Sequence, residues 1–275
     1  MIVKTDAIVL KSMKYGETSK IITFFTQDFG KIKCIAKGAR GNKSKFGSTL
    51  DPLQVVSIVF YQKEHRDLQL VTQADTLHQF KQLATTLESL AATFSIVELL
   101  NRVTHDDHPN IQLFHVAVAA LQAINKNPHS SELVVQGFQL KAAAALGFAP
   151  NFERCGRCGT PTENISSMER IEFQVATGSF LCPACGPGGL DRSIRKSSLM
   201  DGSHRSVLVS ISAMSLKMMK TLIGDESGSL VPGKPDSRII SEVGETLRLY
   251  LRYHVEGLKS LNADLLLNSL SHQEV

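Results

Sequence analysis

Over the first 80 residues apolar and polar positions alternate in short runs rich in β-branched and aromatic side chains, with turn residues between the runs. A period of two is the mark of a strand with one buried face, and residues 2–10, 20–26, 31–37, 53–61 and 68–74 read as strands on that basis. Gln27-Asp28-Phe29-Gly30 turns the second into the third, and a polar connection at 62–67 joins the last two. Strands this short and this closely spaced predict a small barrel or sandwich, and periodicity does not choose between an OB-fold and another small barrel.

From about residue 77 the period lengthens to that of helices. Leu83, Leu87, Leu90, Phe94 and Val97 recur at intervals of three and four, which predicts one core-facing stripe ended by Asp106-Asp107-His108-Pro109. Further helices are expected at 111–124 and 132–146, the latter stopped by Gly147 and Pro150, with the alanines at 142–145 packed closely on a neighbour. Beyond a cysteine-bearing stretch, about 205–223 and 237–255 also read as helices, with a Gly- and Pro-rich loop at 224–235 between them. Leucines at 258, 261, 265–267 and 270 suit a final helix or a docking segment. No repeat and no low-complexity tract interrupts this order.

The third strand changes the picture. Lys31, Lys33, Ile35 and Lys37 fall on one face and Ile32, Cys34 and Ala36 on the other, so lysines line the outside while the apolar set enters the core. A basic loop follows, Gly38-Ala39-Arg40-Gly41-Asn42-Lys43-Ser44-Lys45. The net charge is only +4, but residues 1–80 hold 12 basic against 7 acidic side chains, and the remainder is close to balance. Charge concentrated in this way attracts polyanions. Tyr15, Phe46 and Tyr61 are the aromatic side chains placed to stack on bases if the polyanion is a nucleic acid.

With 43% hydrophobic and 20% charged residues the composition is that of an ordinary globular protein, and no apolar run is long enough to span a bilayer. Lys4 and Asp6 interrupt what would be the core of a signal peptide, so a cytoplasmic location is expected.

Four of the five cysteines form two knuckles, Cys155-Gly156-Arg157-Cys158 and Cys182-Pro183-Ala184-Cys185, each followed by glycine and separated by 23 residues. Two thiolate pairs at this spacing converge on a single ion, with short strands expected at 171–175 and 179–181 between them. Soft sulfur ligands also suit iron or an iron–sulfur cluster, but the spacing favours one Zn2+ in a closed tetrahedron. Such a site has no open position for substrate, so the predicted role is structural. No HxxxH or HExxH pair, Walker loop or GxGxxG run occurs, and nothing in the sequence argues for an active site.

Three stretches together resemble the RecO family of bacterial DNA-repair proteins. The first runs through Ala7-Ile8-Val9-Leu10, Tyr15-Gly16-Glu17-Thr18-Ser19-Lys20, Gly30-Lys31 and Ala36-Lys37-Gly38-Ala39-Arg40. The second is Phe138-Gln139-Leu140-Lys141 with Leu146-Gly147-Phe148-Ala149-Pro150 ahead of the first knuckle, and the third is Tyr253-His254-Val255-Glu256-Gly257-Leu258-Lys259-Ser260. The resemblance implies an α+β chain: an N-terminal five-stranded OB-fold barrel over 1–80, then an α-helical domain over 81–150 and 191–275 with a four-cysteine zinc ribbon inserted at 151–190.

The resemblance also implies a function. Members bind single- and double-stranded DNA, anneal complementary strands coated by single-strand-binding protein, act with RecR and often RecF, and load the recombinase RecA, without enzymatic turnover. It implies that the helical domain receives the acidic tail of single-strand-binding protein, for which Arg102, Lys126 and Lys141 supply the basic side chains between 82 and 150. A nucleoid-associated cytoplasmic protein is expected. On this reading Lys31, Lys33, Lys37, Arg40, Lys43 and Lys45 hold phosphates without reading sequence, and Cys155, Cys158, Cys182 and Cys185 hold the ion. The alternative reading is a zinc-ribbon adaptor acting on RNA or in transcription.

Overall fold

A computed structural model describes residues 1–41, 44–63, 66–186, 207–224 and 236–258. Five strands, β1 (Ile2–Tyr15), β2 (Ser19–Thr26), β3 (Gly30–Ala36), β4 (Val55–Tyr61) and β5 (Leu68–His78), close into a barrel in the order β1-β2-β3-β5-β4. β1 is long enough to serve two neighbours, pairing with β4 through its first half and with β2 through its second. The β3–β5 pair is parallel and all the others are antiparallel. This closed five-stranded arrangement is an OB-fold barrel. Closure leaves no free sheet edge in the barrel.

The interior is filled by alternate residues: Val9, Ile22, Phe24, Cys34, Ile58 and Phe60 are representative, all buried. The connection from β3 to β4 plugs one end, because Ala39, Phe46 and Leu50 turn into the same cluster. Phe46, read from the sequence as a stacking candidate, is therefore core: its ring closes the barrel. The lysines of β3 behave as their alternation predicts, with Ile32, Cys34 and Ala36 buried and Lys33 exposed.

A bulge in β1 has a larger effect. Val9 pairs with Phe24 but Lys11 pairs with Thr23, which leaves Leu10 as an extra residue. One inserted residue exchanges the two faces of everything beyond it. Ala7 and Val9 point inward, whereas Lys11, Met13 and Tyr15 point outward with Thr23 and Ile21.

The outer wall of the barrel is divided. Near the β2–β3 turn it is covered: Ile8, Leu10, Phe25 and Val55 are buried without belonging to the interior cluster. Their cover comes from α1 (Leu87–Val103), α2 (Ile111–Lys126) and the link between them. The Phe25 and Phe114 rings lie 5.8 Å apart, and Lys31 N donates to His105 O. Gly30 pairs with Asp106 and takes a φ of 67°, and a Cβ there would meet the backbone of His108 at 2.6 Å. Only glycine fits this approach.

α1 departs from the expected stripe. Strand β5 continues to His78, so the helix begins only at Leu87, where Thr86 and Ser89 form a capping box. Leu83 and Val97 are buried, but Leu87 is 50% and Phe94 44% exposed. The buried arc instead takes in Ala91, Ala92, Ile96, Leu99 and Leu100 together with Ser89, Thr93 and Ser95. Small residues let the helix approach its neighbours on several sides, and a stripe counted from large side chains alone finds the period but mistakes its phase.

The barrel, α1 and α2 share one compact unit, Met1–Ser131, and a second begins at Glu132. In the second, α3 (Ser131–Ala145) is buried along most of its length, and its Gln136 side chain donates to Ile240 O. A sheet in the order β7-β6-β8 joins β6 (Arg170–Gln174), β7 (Ser179–Leu181) and β8 (Leu208–Ser212), followed by α4 (Ala213–Gly224) and α5 (Ser237–His254). β8 lies where a helix from about 205 was expected. The run Val207-Leu208-Val209-Ser210-Ile211-Ser212 is β-branched and pairs with β6, and a segment this short is ambiguous by periodicity. Glu242 of α5 ties these elements together, accepting from Ser212 N, Ser212 Oγ, Ser215 Oγ and Arg170. Of the leucine-rich tail, Leu258 is buried and the rest lies outside the described residues, as does most of the loop expected at 224–235.

Candidate nucleic-acid interface and metal centre

The open part of the barrel wall carries the cations, though not in equal roles. Lys33 is exposed, between Thr23 of β2 and Leu68 of β5 in the register. Lys37 is exposed just past the end of β3. Lys31 lies at the boundary with the helices, where its Nζ donates to Asn101 O at 3.1 Å. Partial burial holds its pKa below the usual lysine value; Asp106 works against that shift and Lys33 adds to it. Arg40 is exposed but anchored: its backbone N donates to Thr18 O and its guanidinium to Gly16 O, which pins the turn after β3 to the turn between β1 and β2. Its part of the loop is thus held in place. Lys45 is exposed with its Nζ 5.3 Å from the centre of the Phe46 ring. Lys43 lies outside the described residues.

Two outward side chains, Lys11 and Met13, escaped the sequence reading, and they share a wall with Tyr15. Lys11, Met13 and Tyr15 reach this wall through the bulge at Leu10, whose only trace in the sequence is the unbroken apolar run Ala7-Ile8-Val9-Leu10. Tyr15 and Tyr61, both considered for stacking, are exposed at strand ends. Lys20 is held by Asp51 at 2.9 Å. Arg102 and Lys126 sit in the last turns of α1 and α2, where cations favour the helix dipole, and Lys141 lies on α3.

The four knuckle cysteines converge as their spacing requires. Their sulfurs all lie within 4.8 Å of one another, and Cys158 Sγ is 3.6 Å from Cys182 Sγ. Metal–sulfur bonds of about 2.3 Å in a tetrahedron give sulfur–sulfur edges of about 3.8 Å, so the cluster has the size of a four-sulfur site. Backbone bonds shape it: Gly159 N donates to Cys155 O, Gly186 N to Cys182 O, and Cys182 N to Cys155 Sγ at 3.3 Å. Gly159 takes a φ of 74°, whereas Gly186 needs no left-handed backbone. β6 and β7 supply the strands between the knuckles, and Gly156 N donates to Phe180 O of β7.

Cys155 and Cys182 are buried, Cys185 partly so, and Cys158 is exposed. The Thr160 hydroxyl and amide pull the Cys158 thiol down to about 6. Burial, with the neighbouring thiols, pushes Cys185 up to about 12. Among the described residues this is the one cluster of three or more His, Cys, Asp or Glu side chains spaced to hold a metal, and no helix among them is long and apolar enough to cross a membrane.

Comparison with known proteins covers nearly the whole chain. Residues 1–80 match the family model described as recombination protein O N terminal, and residues 84–200 match the one described as recombination protein O C terminal. The DNA repair protein RecO of Streptomyces coelicolor is 31% identical over 94% of this chain and 96% of its own. That of Chloroherpeton thalassium is 28% identical over 98% and 99%, and that of Rubrobacter xylanophilus 32% identical over 66% and 71%.

Proposed function

Since the chain belongs to the RecO family of DNA-repair proteins, we propose that it is a non-catalytic mediator which binds single- and double-stranded DNA and anneals complementary strands. In this role it works with RecR, as family members do, often together with RecF, to load RecA on DNA coated by single-strand-binding protein, whose acidic tail it receives. The observation that carries the proposal is the exposed basic surface of the barrel, where Lys11 and Lys33 on its open wall and Lys37, Arg40 and Lys45 in the connection after β3 all face solvent. Lysines on a strand face supply charge without the fixed donors and acceptors that read base edges, so binding is independent of sequence. Neutralising phosphates on two strands lowers their repulsion and leaves the Watson–Crick edges free to pair.

Five phosphate contacts give a slope of log affinity against log salt of about −3.5 on single strands and about −4.5 on duplex. The bound ion is zinc in a structural role: four thiolates favour it over harder cations, and a closed sulfur tetrahedron leaves no site for substrate. Its ligands are Cys155, Cys158, Cys182 and Cys185, and loading it releases the protons of those thiols that are still protonated.

The test is annealing of two complementary oligonucleotides across a salt series, with and without single-strand-binding protein and without nucleotide. Wild type is compared with a chain in which Lys11, Lys33, Lys37 and Arg40 are alanine. Annealing that disappears with those charges is the expected result. Absence of DNA affinity at low salt, with affinity for RNA instead, would favour the adaptor reading.

A further inference from the structure

The four sulfurs of the ribbon are not equivalent. Cys155 is 3% and Cys182 4% exposed, and Cys185 is partly buried, whereas Cys158 stands in the run Gly156-Arg157-Cys158-Gly159, all of it exposed. Cys155 Sγ is also held within the site, accepting from Cys182 N at 3.3 Å. Cys158 Sγ instead has the Thr160 hydroxyl at 3.0 Å. A small solute in water therefore meets one corner of the cluster before the others. That sulfur lies 3.6 Å from Cys182 Sγ, which belongs to the other knuckle.

We infer that Cys158 is a site of oxidative modification, at which hydrogen peroxide joins it to Cys182 in a disulfide and so withdraws two of the four metal ligands. The inference rests on the metal reading above and adds which sulfurs yield and in what order. Thiolates that are exposed are the ones oxidised first. The Cys158 thiolate attacks one peroxide oxygen: an S–O bond forms, the O–O bond breaks, and the departing oxygen takes a proton and leaves as water. The Cys182 thiolate then attacks the Cys158 sulfur, the S–S bond forms, and the hydroxyl leaves with a proton as a second water. Two thiolates, one peroxide and two protons thus give one disulfide and two waters, with two electrons passing from sulfur to oxygen. Closing 3.6 Å to the length of a disulfide, about 2.05 Å, asks for a shift of about 1.5 Å.

The choice of partner matters. A Cys158–Cys182 bond joins the two knuckles, as an ion between them does, whereas a Cys155–Cys158 bond would close within one knuckle. The pairing of β6 with β7 and the bond from Gly156 N to Phe180 O do not depend on the sulfurs. The oxidised ribbon loses its ion and keeps its frame, so a thiol reductant can reverse the change by exchange. Cys34 is the internal control: it is fully buried inside the barrel, and burial pushes its thiol up to about 12.

The experiment treats the whole chain, reduced and loaded with zinc, with hydrogen peroxide. Ion release is followed with a chromogenic chelator, thiols are counted in denaturant, and disulfides are mapped by peptide mass after alkylation. The thiol count is expected to fall by two, from five to three, as one ion appears. The mapped bond is Cys158–Cys182, Cys34 stays reduced, and a dithiol reductant restores both the thiols and ion binding. Because Cys158→Ser also removes a ligand, the diagnostic variant is Thr160→Val, which keeps all four sulfurs. Without the hydroxyl's hydrogen bond the Cys158 sulfur is the stronger nucleophile, so release is expected to run about threefold faster with the reduced protein's melting midpoint unchanged. An unchanged rate, a bond within either knuckle, or equal loss of all four thiols overturns the inference and leaves the metal reading intact. Survival of every thiol with the ion retained does the same. A reduced chain that takes up no zinc overturns both.

Discussion

Lys31 and Lys33 stand two residues apart on the same face of β3, yet their surroundings assign them different tasks. Lys33 faces water on the open wall, while Lys31 gives its ammonium to the last turn of α1 through Asn101 O. Lys33→Ala is expected to reduce the salt slope on single strands by about 0.7 with the thermal midpoint unchanged. Lys31→Ala is expected to cost about 1 kcal/mol of stability, the usual worth of such a hydrogen bond, with a smaller change in slope. Salt titrations and melting curves on both variants check the contrast, and a Lys31→Ala chain of full stability would dissolve it. Gly30→Ala is the sharper structural test. A methyl at 2.6 Å from the His108 backbone and a φ of 67° together predict a loss above about 2 kcal/mol, measured by denaturant unfolding.

Two elements of the second unit depend on groups that gather from distant parts of the chain. The ribbon's knuckles flank two short strands, so an ion held by the four sulfurs would supply part of their folding energy. If the site holds zinc as proposed, Cys182→Ser is expected to lose it and to lower stability by more than about 2 kcal/mol, read by metal analysis and melting with and without chelator. A metal-free variant with an unchanged midpoint would argue against a structural ion.

Glu242 organises the junction of β6, β8, α4 and α5. Burial on its own would raise its pKa, but hydrogen bonds from Ser215 and Ser212 and the charge of Arg170 outweigh it and hold the carboxyl below the usual range. A carboxyl with a depressed folded pKa stabilises the protein above its unfolded pKa, near 4.3, and that contribution fades as pH falls through the lower folded value. Glu242→Gln is therefore expected to cost about 2 kcal/mol at neutral pH and to flatten the loss of stability in acid. Melting midpoints between pH 3 and 7 test this, and parallel curves for the two proteins would refute it.

On the scale of the whole molecule, the barrel is closed in its hydrogen bonding but not self-sufficient in its packing. Ile8, Leu10, Phe25 and Val55 lie outside its interior cluster and are buried all the same, within a unit that extends to Ser131. Removing everything after residue 80 would strip the cover of α1 and α2 from these side chains, whose burial stabilises by roughly 1.5–3 kcal/mol each. A fragment ending at residue 80 is expected to bind a hydrophobic dye and melt without cooperativity, and one ending at 131 to melt cooperatively. Cooperative melting of the shorter fragment would show that the helices are dispensable to the barrel.

Legible in the chain alone were the strands of the barrel, the helices α2, α3 and α5, the alternation that sends the lysines of β3 outward and the cysteine quartet, whereas β8 was read as part of a helix. Each legible feature is written in spacing over a few residues, or in two motifs whose sulfurs converge on one site. The rest came from tertiary structure. A single extra residue at Leu10 turned Lys11, Met13 and Tyr15 from the core face to the wall, because strand parity depends on the register of the partner and not on the strand's own pattern. Phe46 became core, and Leu87 and Phe94 became surface, because what a side chain meets depends on which elements fold over it. Lys31 and Lys33 look alike in sequence and were separated by the arrival of a helix end 70 residues away from Lys31 along the chain. Local spacing reports what an element is; its neighbours decide which of its side chains remain free to bind.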